Sequence, residues 1–145
     1  MLTLAVPAAS AEEPLTKQQR IDRAAGICRE MLEVATPHLE RAREAADQDQ
    51  IERFIRESRR AIDAVRRVDP DLKDLVPPTG ALIYRHFVRH GRAALDVLDA
   101  ALDALEQRRL RLAKERRASA LEHLERARHA ARRYGLRRSC IRLVS

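Results

Sequence analysis

From Ile21 onward, small and apolar residues recur at Ala25, Cys28, Leu32, Ala35, Leu39, Ala42 and Ala46, in steps that alternate between four and three. That rhythm keeps one narrow stripe on one side of an α-helix and requires a partner helix to cover it. Cys28 lies in the middle of the stripe and therefore faces inward. Thr16, with Gln19 three residues later, has the spacing of a capping box at the helix start. Pro37 lies inside the same pattern and predicts a kink near Val34–Thr36. The chain has 145 residues, enough for one domain with a modest core. Alanine, leucine, arginine and glutamate dominate, and no Val/Ile/Thr segment alternates as a strand would, so the class is all-α.

Three further stripes follow. Asp47 or Asp49 caps a second helix, whose inward positions are Ile51, Phe54/Ile55, Ser58, Ala61/Ile62 and Val65. It is expected to end near Val68, ahead of a connector containing Pro70, Pro77, Pro78 and Gly80. A third helix starts at Thr79 or Gly80 and buries Tyr84, Phe87/Val88, Leu95, Leu98, Leu102 and Leu105. Gly91 falls within that stripe and predicts a close helix approach. The pattern loses coherence at Leu110–Arg117, which places the next turn there. The alternative is one helix from Ala81 to Tyr134, about 80 Å long, with its stripe uncovered. The fourth helix uses Ala120, Leu124, Ala127, Ala131 and Tyr134. Gly135 and Leu136 then fit the left-handed residue and hydrophobic contact of a Schellman ending. These elements predict an antiparallel, up-down-up-down four-helix bundle spanning residues 12–145.

Beyond Gly135 the chain folds back and carries Cys140. In such a bundle the fourth helix lies beside the first, so a returning tail can reach Cys28. A Cys28–Cys140 disulfide would close a loop of over 100 residues. Such a bridge stabilises by about 4–5 kcal/mol on the chain-entropy argument. The alternatives are two buried or free thiols, or a metal or haem site. Two cysteines make no zinc set, and no C-x-x-C-H is present for covalent haem. The first residues bear on the choice. "MLTLAVPAASAEEP" passes from apolar to small residues and ends in Ala9-Ser10-Ala11 before Glu12. Residues 1–11 read as the remnant of a longer signal peptide with an A-x-A cleavage pattern, its basic start missing, the alternative being a disordered apolar tail. Export places the cysteines where disulfides persist. No long apolar run predicts a transmembrane helix.

The segments "RAAGICREM" and "ARRYGLRRSC", with the Pro-rich connector between them, resemble a group of small exported helical proteins of high-GC Gram-positive bacteria. In that group a cysteine early in the first helix recurs with a terminal G-L-x-x-C-like ending. This chain has one residue more, G-L-R-R-S-C, and continues through "IRLVS". The resemblance implies export, a bundle and a disulfide, and implies no reaction. "LTKQQ" is also similar to the L-T-x-x-Q signature of periplasmic helical chaperones such as Spy and CpxP, which carry it twice. One copy is present here, coinciding with the capping box.

The net charge is +7, and only three of the 29 basic residues are lysines. Between Ala104 and Ser145 there are 13 basic and 4 acidic residues, a balance of +9. Arg126, Arg128, Arg132, Arg133, Arg137 and Arg138 form a candidate anion-binding face on this basic third. Its partner would be an anionic envelope component or another protein, or nucleic acid if the chain were cytosolic with free thiols. No aromatic platform or helix-turn-helix pattern accompanies these arginines.

Little else suggests chemistry. His86 and His90 share a helix face and could share a metal, but Arg85, Arg89 and Arg92 surround them. They read instead as a solvated flank. His123 and His129 are six apart and face differently, and His38 is isolated. Asp96, Asp99 and Asp103 line one side of the third helix and are expected to pair with arginines of a neighbouring helix. There is no Gly-rich phosphate loop and no Ser/His/Asp set, so no catalytic, metal or cofactor-binding residue is assigned. The expectation is a non-enzymatic, secreted or envelope-associated structural or interaction module.

Overall fold

The computed structural model describes residues 13–145; the segment read as a signal-peptide remnant lies outside the described residues. Five helices follow in order: α1 (Lys17–Asp47), α2 (Ile51–Asp74), α3 (Leu82–Glu106), α4 (Leu110–Tyr134) and α5 (Arg138–Leu143). The four long helices form the expected antiparallel bundle. It is built as two tight hairpins, α1–α2 and α3–α4, joined along α2–α3.

Each hairpin is close-packed because its buried positions are small. Ala35, Ala42, Ala45, Ala61 and Ala64 are buried in the first, and Ala94, Ala104, Ala120 and Ala127 in the second. Small side chains allow helix axes to approach, and dispersion contacts then do what bulk burial cannot. Larger side chains collect where the hairpins meet. One cluster gathers Met31, Val68, Leu72, Tyr84, Phe87 and Tyr134 around Cys28 and Cys140. A smaller one, Ile55, Ile62 and Leu102, lies toward the other end of α2–α3.

Three of the helix ends share one hydrogen-bond closure. After α4, Gly135 takes φ +86°. The Leu136 N–H donates to the Ala131 carbonyl at 2.9 Å, and the Gly135 N–H to the Arg132 carbonyl at 3.1 Å. This is the Schellman ending expected from "RRYGL". After α1 the left-handed residue is Asp49, φ 55°, and Gln50 N–H donates to Ala45 O at 2.8 Å. After α3 it is Arg108, φ 58°, and Arg109 N–H donates to Ala104 O at 2.8 Å. The α3–α4 turn therefore lies at Gln107–Arg109, just ahead of the expected Leu110–Arg117, and the single long helix is excluded.

Other boundaries differ from expectation. α2 continues through Pro70 to Asp74, beyond the expected end at Val68. Its last turn buries Leu72, and its end carbonyls find side-chain donors on neighbouring helices. The Tyr84 hydroxyl donates to Leu72 O at 2.8 Å, and Arg20 Nε donates to Leu75 O at 2.8 Å. These bonds satisfy carbonyls at the C-terminal end of α2 that have no intrahelical donor. α1 likewise continues through Pro37, where the Thr36 hydroxyl donates to Leu32 O at 2.6 Å. α3 begins at Leu82 rather than Gly80. Gly91 marks no close approach, since a Cβ built there meets nothing within 4 Å. The fully buried small residue is Ala94, one turn on.

The capping box forms as spaced. Gln19 N–H donates to Thr16 Oγ1 at 3.1 Å, and Thr16 N–H donates to Gln19 Oε1 at 3.0 Å. The residues of "LTKQQ" that resemble the chaperone signature are thus engaged in a helix cap.

The fourth side of the bundle is closed differently from expectation. α5, rather than α4, supplies the close backbone contact to α1 among the described residues. Cys28 and Cys140 form the disulfide, with Cα atoms 5.0 Å apart and neither residue exposed. Around it, Ser139 Oγ donates to Ala25 O at 2.9 Å, and Arg137 pairs with Asp22 at 2.7 Å. α4 reaches α1 at its last turn, where Arg20 Nη1 donates to the Tyr134 hydroxyl at 2.9 Å.

The turn geometry is testable by substitution. A left-handed non-glycine residue costs about 1–2 kcal/mol. Arg108→Gly is expected to raise stability by about 1 kcal/mol once the greater entropy loss of glycine is subtracted. Gly135→Ala is expected to lower it by about 1 kcal/mol through the backbone alone. A Cβ there would stand 3.9 Å from Ile21 Cδ1, an ordinary contact. Urea unfolding of the two variants beside the parent checks both signs.

Candidate functional site

Most charged side chains between the helices are engaged with one another. Glu57 on α2, 4% exposed, receives His38 Nδ1 at 3.2 Å, Arg41 Nε at 3.3 Å and Arg60 Nη1 at 3.0 Å. The His38 hydrogen bond, aided by the two arginines, holds its carboxyl below the ordinary value. Arg66 reaches Asp96 at 2.9 Å and Asp99 at 3.1 Å, while Arg59 takes Asp103, and Glu106 at 2.9 Å. The carboxylate line of α3 is therefore paired with α2, as its spacing suggested. Asp69 is buried against Arg92 at 2.7 Å; burial raises its pKa, and the guanidinium opposes that shift.

The outer face of the α3–α4 hairpin is different. Ile83, His86 and His90 recur at helical spacing on α3; Glu122, Glu125, Arg126, His129, Ala130 and Arg133 face them from α4. Together they line an open groove of about 560 Å³. Lys17, Leu82 and Tyr134 extend it at the lower end through shared Ile83, His86 and Arg133. Arg126 and Arg133 are exposed and enter no ion pair among the described residues.

His86 and His90 lie on the solvated flank expected of them, His86 exposed and His90 partly so. His86 and His90 stack with ring centroids 6.0 Å apart. His90 Nδ1 and His123 Nδ1 are 3.2 Å apart, a hydrogen bond in which one ring donates and the other accepts. His129 lines the same groove as His86 and His90 whereas His123 does not, so the two α4 histidines face differently, as their spacing of six suggested. Four of the five histidines thus gather along one hairpin. Burial, followed by the proximity of His123, Arg126, His86 and Arg89, lowers the His90 pKa. Among the described residues no three metal-binding side chains are disposed to hold an ion.

The six arginines proposed for an anion-binding face do not lie together. Arg126 and Arg133 face the histidine groove. Arg128 and Arg132 fall on the far side of α4, given about 3.6 residues per turn. Arg137 is paired with Asp22, and Arg138 is exposed on the short α5. The groove brings imidazoles, guanidiniums and two carboxylates together beside the apolar Ile83 and Ala130. No family model, curated protein or solved structure matches this chain.

The His90–His123 contact has a pH consequence. With its folded pKa depressed, His90 takes up a proton more readily in the unfolded chain than in the folded one. Stability from this group is therefore unchanged above the ordinary value of 6.5 and declines as pH falls through it. The melting temperature is expected to fall over that window in the parent, and His90→Gln is expected to flatten the fall. Thermal scans at stepped pH read both.

Proposed function

We propose that this protein is an extracytoplasmic, non-enzymatic structural or interaction module, secreted or held in the cell envelope, whose partner is a protein or an anionic envelope component. The observation that carries the reading is the Cys28–Cys140 disulfide, buried at the junction of α1 and α5. A bridge closing so long a loop persists in oxidising compartments and is rare where thiols are kept reduced. The A-x-A pattern at Ala9-Ser10-Ala11 supports the same compartment. No described helix is long and apolar enough to cross a membrane.

The interaction reading rests on how charge is used. Acidic side chains between α1, α2 and α3 are engaged by arginines of neighbouring helices. The unpaired guanidiniums of α4 stand in a solvent-facing groove, where a partner can reach them.

Expression of the full reading frame in a secreting bacterial host, followed by intact-mass analysis after alkylation without reduction, tests the reading. The expected product begins at Glu12, lacks two hydrogens and takes up no alkyl group. A product that retains its N-terminus and carries two alkylated cysteines would overturn export and favour a cytosolic, nucleic-acid-binding role.

A further inference from the structure

The α3–α4 groove carries two kinds of cationic group. Arg126 and Arg133 are charged at all physiological pH values. Histidine is the side chain whose charge ordinarily changes near neutrality, and His86, His90 and His129 share the lining, with His123 hydrogen-bonded to His90 behind it. Two carboxylates, Glu122 and Glu125, share the lining. With the imidazoles neutral, two arginines and two glutamates leave the lining without net charge. With the imidazoles protonated, the same wall becomes strongly cationic. Lys17 at the lower end and Arg89 beside His90 add fixed charge at its margins.

We propose that this groove is an acid-activated binding site for a chain of phosphate groups, with Arg126 and Arg133 as its fixed contacts and His86, His90 and His129 as its conditional ones. Spacing argues for a chain rather than a single ion. Seven residues of helix separate the two arginines by about 10 Å, more than one phosphate can bridge. Between them the apolar Ile83 and Ala130 offer no competing charge. Chemistry argues for phosphate rather than carboxylate. Each inner group of a phosphate chain keeps a full negative charge at neutral and mildly acidic pH, giving a line of closely spaced charges that matches the two separated arginines. Guanidinium forks and imidazolium N–H groups both donate to phosphoryl oxygens. Protonating both His90 and His123 turns their mutual hydrogen bond into a meeting of two donors, and a bound phosphate oxygen supplies the missing acceptor. The inference deepens the interaction-module reading by naming a ligand class.

The test is calorimetric titration of the purified, oxidised, full chain with a short linear polyphosphate, at about pH 7.5 and about pH 5.5 and constant ionic strength. Binding is expected to be at least about tenfold tighter at the lower pH. Arg126→Gln with Arg133→Gln is expected to abolish it. Arg128→Gln with Arg132→Gln, on the far side of α4, is expected to leave it unchanged. His86→Gln with His129→Gln is expected to keep the neutral-pH affinity and lose most of the gain in acid. Circular dichroism at both pH values establishes that each variant is folded. Equal affinity at the two pH values would overturn the proposal, as would equal loss in the two arginine pairs or binding of orthophosphate as tight as that of the polymer. Capture by anionic phospholipid vesicles without polyphosphate binding would also overturn it, assigning the arginines to a membrane surface. Because the titration uses purified oxidised protein, its failure is separable from failure of the export reading.

Discussion

The bundle depends on a covalent return. Two alanine-packed hairpins meet along α2–α3, which leaves α1 and α4 without a close backbone interface of their own. The chain closes that open side by stopping α4 at Gly135, turning back, and bonding Cys140 of α5 to Cys28 of α1. The largest apolar cluster surrounds this bridge. Burial, hydrogen bonding and the disulfide therefore converge on one end of the molecule, where Arg20, Tyr84 and Tyr134 also meet.

Arg20 shows how polar groups are accommodated there. It is 6% exposed and forms no ion pair among the described residues; it donates instead to the Leu75 carbonyl and the Tyr134 hydroxyl. The Leu75 carbonyl lies at the C-terminal end of α2, where the helix dipole favours a cation. Tyr84 serves the same helix end through Leu72, and burial raises its phenol pKa well above the ordinary value. Four helices are thus joined at the C-terminal end of α2, whose last carbonyls accept from α1 and α3.

Much of this was legible in the sequence. The capping box at Thr16, the Schellman ending at Gly135 and the pairing of α3 carboxylates with arginines follow local rules; most stripe positions are buried, but Leu39, Ala46 and Ile51 are exposed, and the Cys28–Cys140 bridge followed from the returning tail rather than from local pattern. The illegible part traces largely to one residue. Arg108 occupies a left-handed conformation that gives no glycine or asparagine signal, so the α3–α4 turn was placed too late. In an antiparallel hairpin, residues equidistant from the turn face each other. With the turn at Gln107–Arg109, His90 lies within reach of His123, and His129 comes to the side of His86. One available clue was internal. "AADQDQI" before α2 and "ALEQRRL" before α4 share an apolar pair, an acid, a glutamine and a β-branched or leucine start, and both form the same closure. The arginine faces were misjudged for another reason: a count of charges along a sequence ignores rotation about the helix, which separates Arg126 and Arg133 from Arg128 and Arg132.

The functional account follows from where charge is left unpaired. Ion pairs tie α1 to α2 and α2 to α3, whereas the α3–α4 hairpin keeps histidines and arginines on an open groove. That groove on a disulfide-stapled scaffold is the basis of the proposed interaction role. The central structural claim is that the α1–α5 bridge holds the two hairpins as one unit. Its most direct test is equilibrium unfolding in guanidinium of the oxidised parent beside Cys28→Ala with Cys140→Ala. The account predicts a loss of about 4–5 kcal/mol in the variant, lowered further by the cavity left at the junction. An unchanged midpoint and slope would contradict it, because the hairpins would then hold together without the bridge.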